Sequence, residues 1–347
     1  MKKPERKTCL NILFLAAVFI LMLWSVFHGE NLKLVLSCLT TANPLYVVLG
    51  ILCVVLFILG ESVVIFYLMQ TLGIYVSFSH CCRYSFIGFF YSCITPSASG
   101  GQPMQVVTMR KDRIPVAVST VVLAIITITY KLVLVLIGTV IMLFQPPQLM
   151  IYLEEAKPII YLGLGLNILC IAGLFMLVFH PELIRMISQR ILLFWNRLRP
   201  LRNPQKQEAR LNRIIEQYKG TAEFYKTNQH VILRVFLLTF LQRCLLFLVT
   251  WFTYRSFKLS GHSLPVITGL QAMISVATDM LPLPGGMGIS ENLFLLIFDP
   301  IFGEMLVLPG MIISRGISYY TQLLISAAVT FAAVFIVKKH KKDGNTI

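Results

Sequence analysis

Charge is scarce in this chain. Asp, Glu, Lys and Arg together make up 13% of its 347 residues, against roughly a quarter in a soluble domain, and that shortfall excludes a soluble globular protein. Polar bulk is scarce too: 57% of the residues are hydrophobic, which excludes an intrinsically disordered chain. None of the eight cysteines stands in a CxxC pair and no histidine lies at metal-ligand spacing from them. Neither a disulfide framework nor a zinc site is indicated; inside apolar runs cysteine behaves as a small hydrophobe. A Walker motif is lacking, so any driving force must come from an ion gradient, a potential or a downhill process. The six histidines sit at segment ends or in loops, no Ser/His/Asp constellation forms, and nothing nominates a nucleophile. The expectation is therefore no catalytic residue, no metal and no cofactor. The N-terminal apolar stretch is too long for a signal peptide and no small-x-small cleavage site follows it, so it reads as a retained signal anchor.

What the chain does have is apolar runs of about 20 residues or more, the length a helix needs to cross a bilayer. It reads as an all-α polytopic membrane protein, one integral membrane domain over 1–347. About six full spans are expected, at 10–27, 44–69, 114–144, 158–179, 231–254 and 306–337, with a short amphipathic surface stretch at 31–40. The net charge is +15. Cytoplasmic loops of membrane proteins collect Lys and Arg, and with these spans 22 of the 30 Lys and Arg fall on one side. That arrangement puts both termini in the cytoplasm and accounts for the charge without a direct nucleic-acid partner. Residues 181–230 carry ten Lys/Arg against four Glu. They read as a basic, helical cytoplasmic loop, either lying on anionic headgroups or docking a partner such as a separate synthase, or tRNA.

Two further stretches are apolar but broken. In the first, a run of about ten residues is too short to span. It is interrupted at Thr95-Pro96 and Gly100-Gly101 and flanked at both ends by basic residues. In the second, Pro282, Pro284, Gly285, Gly286 and Gly288 interrupt 264–300. Each reads as a re-entrant helical hairpin, the two entering from opposite faces. Non-helical backbone at that depth is tolerated only where protein buries it or it lines a wet cavity. The order of elements in 10–144 recurs in 158–337 from the other side, an inverted repeat of the kind that puts a transporter's site at its broken segments. Glycines there admit φ > 0 and close approach, and half-helix N-termini suit phosphate or carboxylate; the alternative is a pair of tight structural turns.

The stretches TPSASGGQP and LPLPGGMGISE, the latter with Pro284, Gly285, Gly286, Gly288 and Glu291 in fixed spacing, carry a resemblance. Over about 10–337 the chain resembles the lysylphosphatidylglycerol synthase transmembrane-region, or flippase-like, family, which includes the membrane half of the bacterial multiple peptide resistance factor. The resemblance implies movement of phosphatidylglycerol-type or aminoacylated phospholipid between leaflets of a bacterial plasma membrane, contributing to envelope charge and cationic peptide resistance. Full-length relatives also carry a cytosolic domain that transfers lysine from tRNA to phosphatidylglycerol. This chain departs there: after its last apolar run only a ten-residue basic tail follows, so no soluble C-terminal transferase domain and no intrinsic catalysis are expected. The alternative is a phosphatidylglycerol lysyltransferase, or its membrane subunit working with a separate soluble synthase that uses aminoacyl-tRNA.

Ionisable residues within apolar runs are expensive and normally pair or line a path. Lys131, Arg243 and Arg315 are candidates to hold a lipid phosphate, Arg offering bidentate geometry. Glu61, Asp279 and Glu291 are candidates to meet a headgroup amine or to couple protons. The competing reading is a set of buried ion pairs that only fix helix packing. Oligomeric state is not legible.

Overall fold

The structure, a computed structural model, describes residues 40–179, 204–283 and 285–343, with the isolated positions 37, 185, 186 and 190. The expected first span, most of 31–40, most of the basic loop up to 203, and Pro284 lie outside the described residues.

Among the described residues the regular elements are all helices. They are α1 (Pro44–Thr71), α2 (Phe78–Ile94), α3 (Gly101–Lys111), α4 (Val116–Phe144), α5 (Pro147–Leu153), α6 (Lys157–Phe179), α7 (Pro204–Thr227), α8 (Gln229–Ser256), α9 (Leu264–Thr278), α10 (Ile289–Phe302) and α11 (Glu304–Arg315). A π-helical turn over Gly316–Thr321 then leads into α12 (Gln322–Asp343). Four of these, α1, α4, α6 and α8, are long and apolar enough to cross a bilayer, and they match the expected spans to within about two residues. Local chemistry sets their ends. Asn43 caps α1 by accepting from the Leu45 N–H, with Pro44 in the first turn, where a missing N–H costs nothing. Gln145 ends α4 in the left-handed region, its N–H returning to Ile141 O.

The last expected span differs. Pro309 and Gly310 lie inside α11 without ending it. The regular α-helix is interrupted at the π turn, which accommodates an extra residue without ending the helix. Gly303, at φ +77°, separates α10 from α11.

α2 and α3 form an antiparallel pair around the first break. Arg83 and Tyr84, near the start of α2, both reach Asp112 just beyond α3, each at 2.5 Å. α9 and α10 flank the second break in the same way. The two units enter the bundle from opposite ends. The base of the first joins a core made by Leu68, Met109, Ile114, Val178, Tyr218 and Val231. The base of the second joins a separate core made by Met142, Leu149, Tyr254, Val266, Phe298 and Phe302. Their tips meet: Ser97 Oγ donates to Leu281 O at 3.1 Å, and Tyr319 OH, from the π turn, donates to Cys93 O at 2.6 Å.

Outward faces are apolar. α6 buries only 17% of its apolar stretch inside the protein, and Leu143, Phe144, Leu169 and Leu241 are exposed. Such continuous apolar surface suits hydrocarbon, not water; the chain is a multi-pass membrane protein. α7, the described part of the basic loop, is anchored by one face: Tyr225 OH donates to Leu68 O at 2.9 Å and Tyr218 OH to Leu177 O at 3.2 Å. Arg213 and Lys219 stay on its exposed side.

Candidate functional site

A cavity of about 450 Å³ lies where the two tips meet. Ser97, Ala98 and Ser99 of the first break and Leu283, Gly285 and Gly286 of the second contribute to its wall. In the second break, Gly285 and Gly286 sit at φ +58° and +67°, a region closed to most side chains, and a Cβ on Gly285 would run into the Tyr319 ring. The first break works differently from the sequence expectation. There the positive φ values belong to Ser97 and Ala98, while Gly100 and Gly101 take up the start of α3. Gly101 is required for close approach instead: a Cβ there would strike Ser92 Oγ and the Gly88 carbonyl. Thr95 holds the turn, its Oγ1 donating to Tyr91 O at 2.7 Å and accepting from Gly100 N at 2.9 Å, with Pro96 following.

Five of the six candidate ionisable residues line this cavity: Glu61 from α1, Lys131 from α4, Arg243 from α8, Asp279 at the end of α9 and Arg315 at the end of α11. They are not equivalent. Lys131 Nζ lies 2.6 Å from Asp279 Oδ2 and 3.4 Å from Asn167 Oδ1. Asn167, fully buried, is itself held by Gly163 O and Val276 O. Arg315 Nε lies 2.7 Å from Glu291 Oε1, and its Nη2 donates to Gly285 O at 2.9 Å. Glu291 does not line the cavity. Its second oxygen accepts from Gly288 N at 2.7 Å, capping α10, so it braces the second break from behind. Arg243 stands apart. Among the described residues it has no hydrogen bond or ion pair. Its guanidinium lies 3.4 Å from the Tyr130 ring centroid and 5.2 Å from that of Phe57, a cation–π seat on the cavity wall. Glu61 accepts from Gln105 Nε2 at 2.6 Å.

The polar lining beyond these charges was missed at the level of sequence. Gln102 bonds Thr127, Thr250 bridges Gln271 at 2.8 Å and Ser314 at 3.0 Å, and Ser275 and Thr278 also face in. A signal was present: Gln271, Ser275 and Thr278 recur at helical spacing, one polar stripe on an otherwise apolar α9. Among the described residues no group of three His, Cys, Asp or Glu is placed to hold a metal.

A family model described as "Lysylphosphatidylglycerol synthase TM region" matches residues 11–326. No curated protein matches the chain.

Proposed function

Because the chain belongs to the lysylphosphatidylglycerol synthase transmembrane-region family, we propose that it is a lipid translocase passing a phosphatidylglycerol-type or aminoacylated headgroup between leaflets through the cavity at the tips. In this reading the two helix–break–helix units are re-entrant hairpins of an inverted repeat, lying in a bacterial plasma membrane with both termini cytoplasmic. The observation that carries it is the cavity itself: a polar, charged space of about 450 Å³ inside a bundle whose outer faces are apolar. A phosphodiester entering such a space needs a cation with free donors, and Arg243 supplies one. Lys131 and Arg315, which were candidates for the same role, are engaged by Asp279 and Glu291, and their first task is to hold the cavity wall.

The test is leaflet exchange of acyl-labelled phosphatidylglycerol and lysyl-phosphatidylglycerol in proteoliposomes of the purified chain. Exchange above empty vesicles is expected. Arg243→Ala is expected to lose it while keeping the wild-type size-exclusion profile; normal exchange in that variant would sink the phosphate role.

The second reading, a membrane subunit of an aminoacyl-lipid synthase, is favoured by the family's description. New aminoacyl lipid formed from charged tRNA and phosphatidylglycerol, by the chain alone or with a soluble transferase, is the outcome that supports it.

A further inference from the structure

Resting on the translocase reading, the charge inventory of the cavity points to a finer substrate class. Lys131 is neutralised by Asp279 and Arg315 by Glu291. What remains is one guanidinium, Arg243, seated on Tyr130 without an ion-pair partner among the described residues, and one carboxylate, Glu61, held only by the neutral amide of Gln105. Both line the cavity, and among the described residues no ion pair joins them. With Glu61 ionised, the described residues give the site as many negative as positive side chains, and among them one charge of each sign is open.

We propose that this site selects a phospholipid whose headgroup is a net-neutral zwitterion, with one phosphodiester for Arg243 and one ammonium for Glu61. A phosphatidylglycerol headgroup brings a phosphate and no ammonium, and leaves Glu61 facing an anion. A lysyl headgroup brings two ammonium groups for one phosphate, and one of them finds no carboxylate that is free. An uncompensated charge at low dielectric is costly, and on the scale of inserting one charge at mid-membrane the discrimination is on the order of a hundredfold. An ethanolamine headgroup, or a phosphatidylglycerol esterified with a neutral amino acid, satisfies both residues and leaves nothing over.

The experiment uses the full chain in vesicles of neutral phosphatidylcholine, with trace acyl-labelled phosphatidylethanolamine, alanyl-phosphatidylglycerol, phosphatidylglycerol and lysyl-phosphatidylglycerol compared by dithionite quenching. Retention of the same four lipids by the detergent-purified protein is read by native mass spectrometry. The expected result is exchange and retention at least about tenfold higher for the two zwitterions. Equal or faster handling of phosphatidylglycerol or lysyl-phosphatidylglycerol overturns the proposal. Zwitterion-selective retention with no exchange of any lipid supports the selectivity while removing the translocase reading, so the two failures are distinguishable. Two folded variants shift the balance in opposite directions. Glu61→Gln should move the preference in exchange and retention toward phosphatidylglycerol, and Arg243→Gln, read by retention alone, toward the lysyl lipid. A Glu61→Gln protein that folds and keeps the wild-type preference also overturns it.

Discussion

Lys131 and Asp279 are 148 positions apart in the chain and 2.6 Å apart in the fold. Removing one partner of a buried pair leaves the other charge stranded, at a cost of about 3–5 kcal/mol, whereas replacing both by apolar groups of similar volume is often neutral. Lys131→Ala should therefore lower thermal stability in detergent markedly, and the double variant Lys131→Met with Asp279→Leu should recover most of the loss. A double variant no more stable than the single would show that the pair is not the reason Lys131 is tolerated. At this scale the sequence was half legible. The six ionisable residues stood out because charge is rare inside apolar runs. Their pairing did not, because which cation meets which carboxylate is decided by how helices distant in the chain pack. The glycine roles were legible for Gly285 and Gly286. They were misleading for Gly100 and Gly101, where contact with Ser92, Thr95 and Gly88, not backbone freedom, is the constraint.

Among the helices, the long apolar elements were readable almost to the residue, since hydrocarbon thickness fixes their length and Asn43, Pro44 and Gln145 punctuate them. The π turn over Gly316–Thr321 left no sequence trace, because an extra residue in a helix changes neither composition nor hydropathy. Its position matters: Arg315 just before it holds Glu291 and Gly285, while Tyr319 within it and Gln322 just after it reach Cys93. Deleting Ser318 should convert the turn to regular α-helix; because the π turn already absorbs its extra residue, the flanking helices keep nearly the same faces, while the bulged backbone that carries Tyr319 is lost. On the translocase reading, the expected outcome is a protein helical by circular dichroism that no longer exchanges lipid, since Arg315 and Tyr319 cannot both keep their partners. Full exchange in the deletion variant would remove the turn from the mechanism.

At the level of the whole molecule, charge and topology agree. Basic residues cluster at the end of the bundle where α2 begins and α3 ends, and the second unit starts from the other end, beside α5 and the Tyr152–His262 hydrogen bond at 3.0 Å. A single cysteine at Arg113 and one at His262, each in a cysteine-free background, should be labelled by a membrane-impermeant maleimide from opposite sides of oriented vesicles. Labelling of both from the same side would overturn the opposed, inverted arrangement. The expectation of opposition rested on the basic residues flanking the first break and on the order of spans around the second. The meeting of the tips was not legible, because it rests on single contacts such as Ser97 with Leu281.

One consequence of that junction is practical. Cys93 lies buried where the tips touch, its carbonyl taken by Tyr319 and its sulfur 3.7 Å from Gln322 Nε2. Cys93 also contributes to the cavity wall. In a variant keeping it as its single thiol, the alkylation rate therefore reports access to that wall, built from a native atom and readable by mass with no substrate in hand. On the translocase reading, a change of that rate with one lipid and not another marks which headgroup engages the site before any movement across the bilayer is measured.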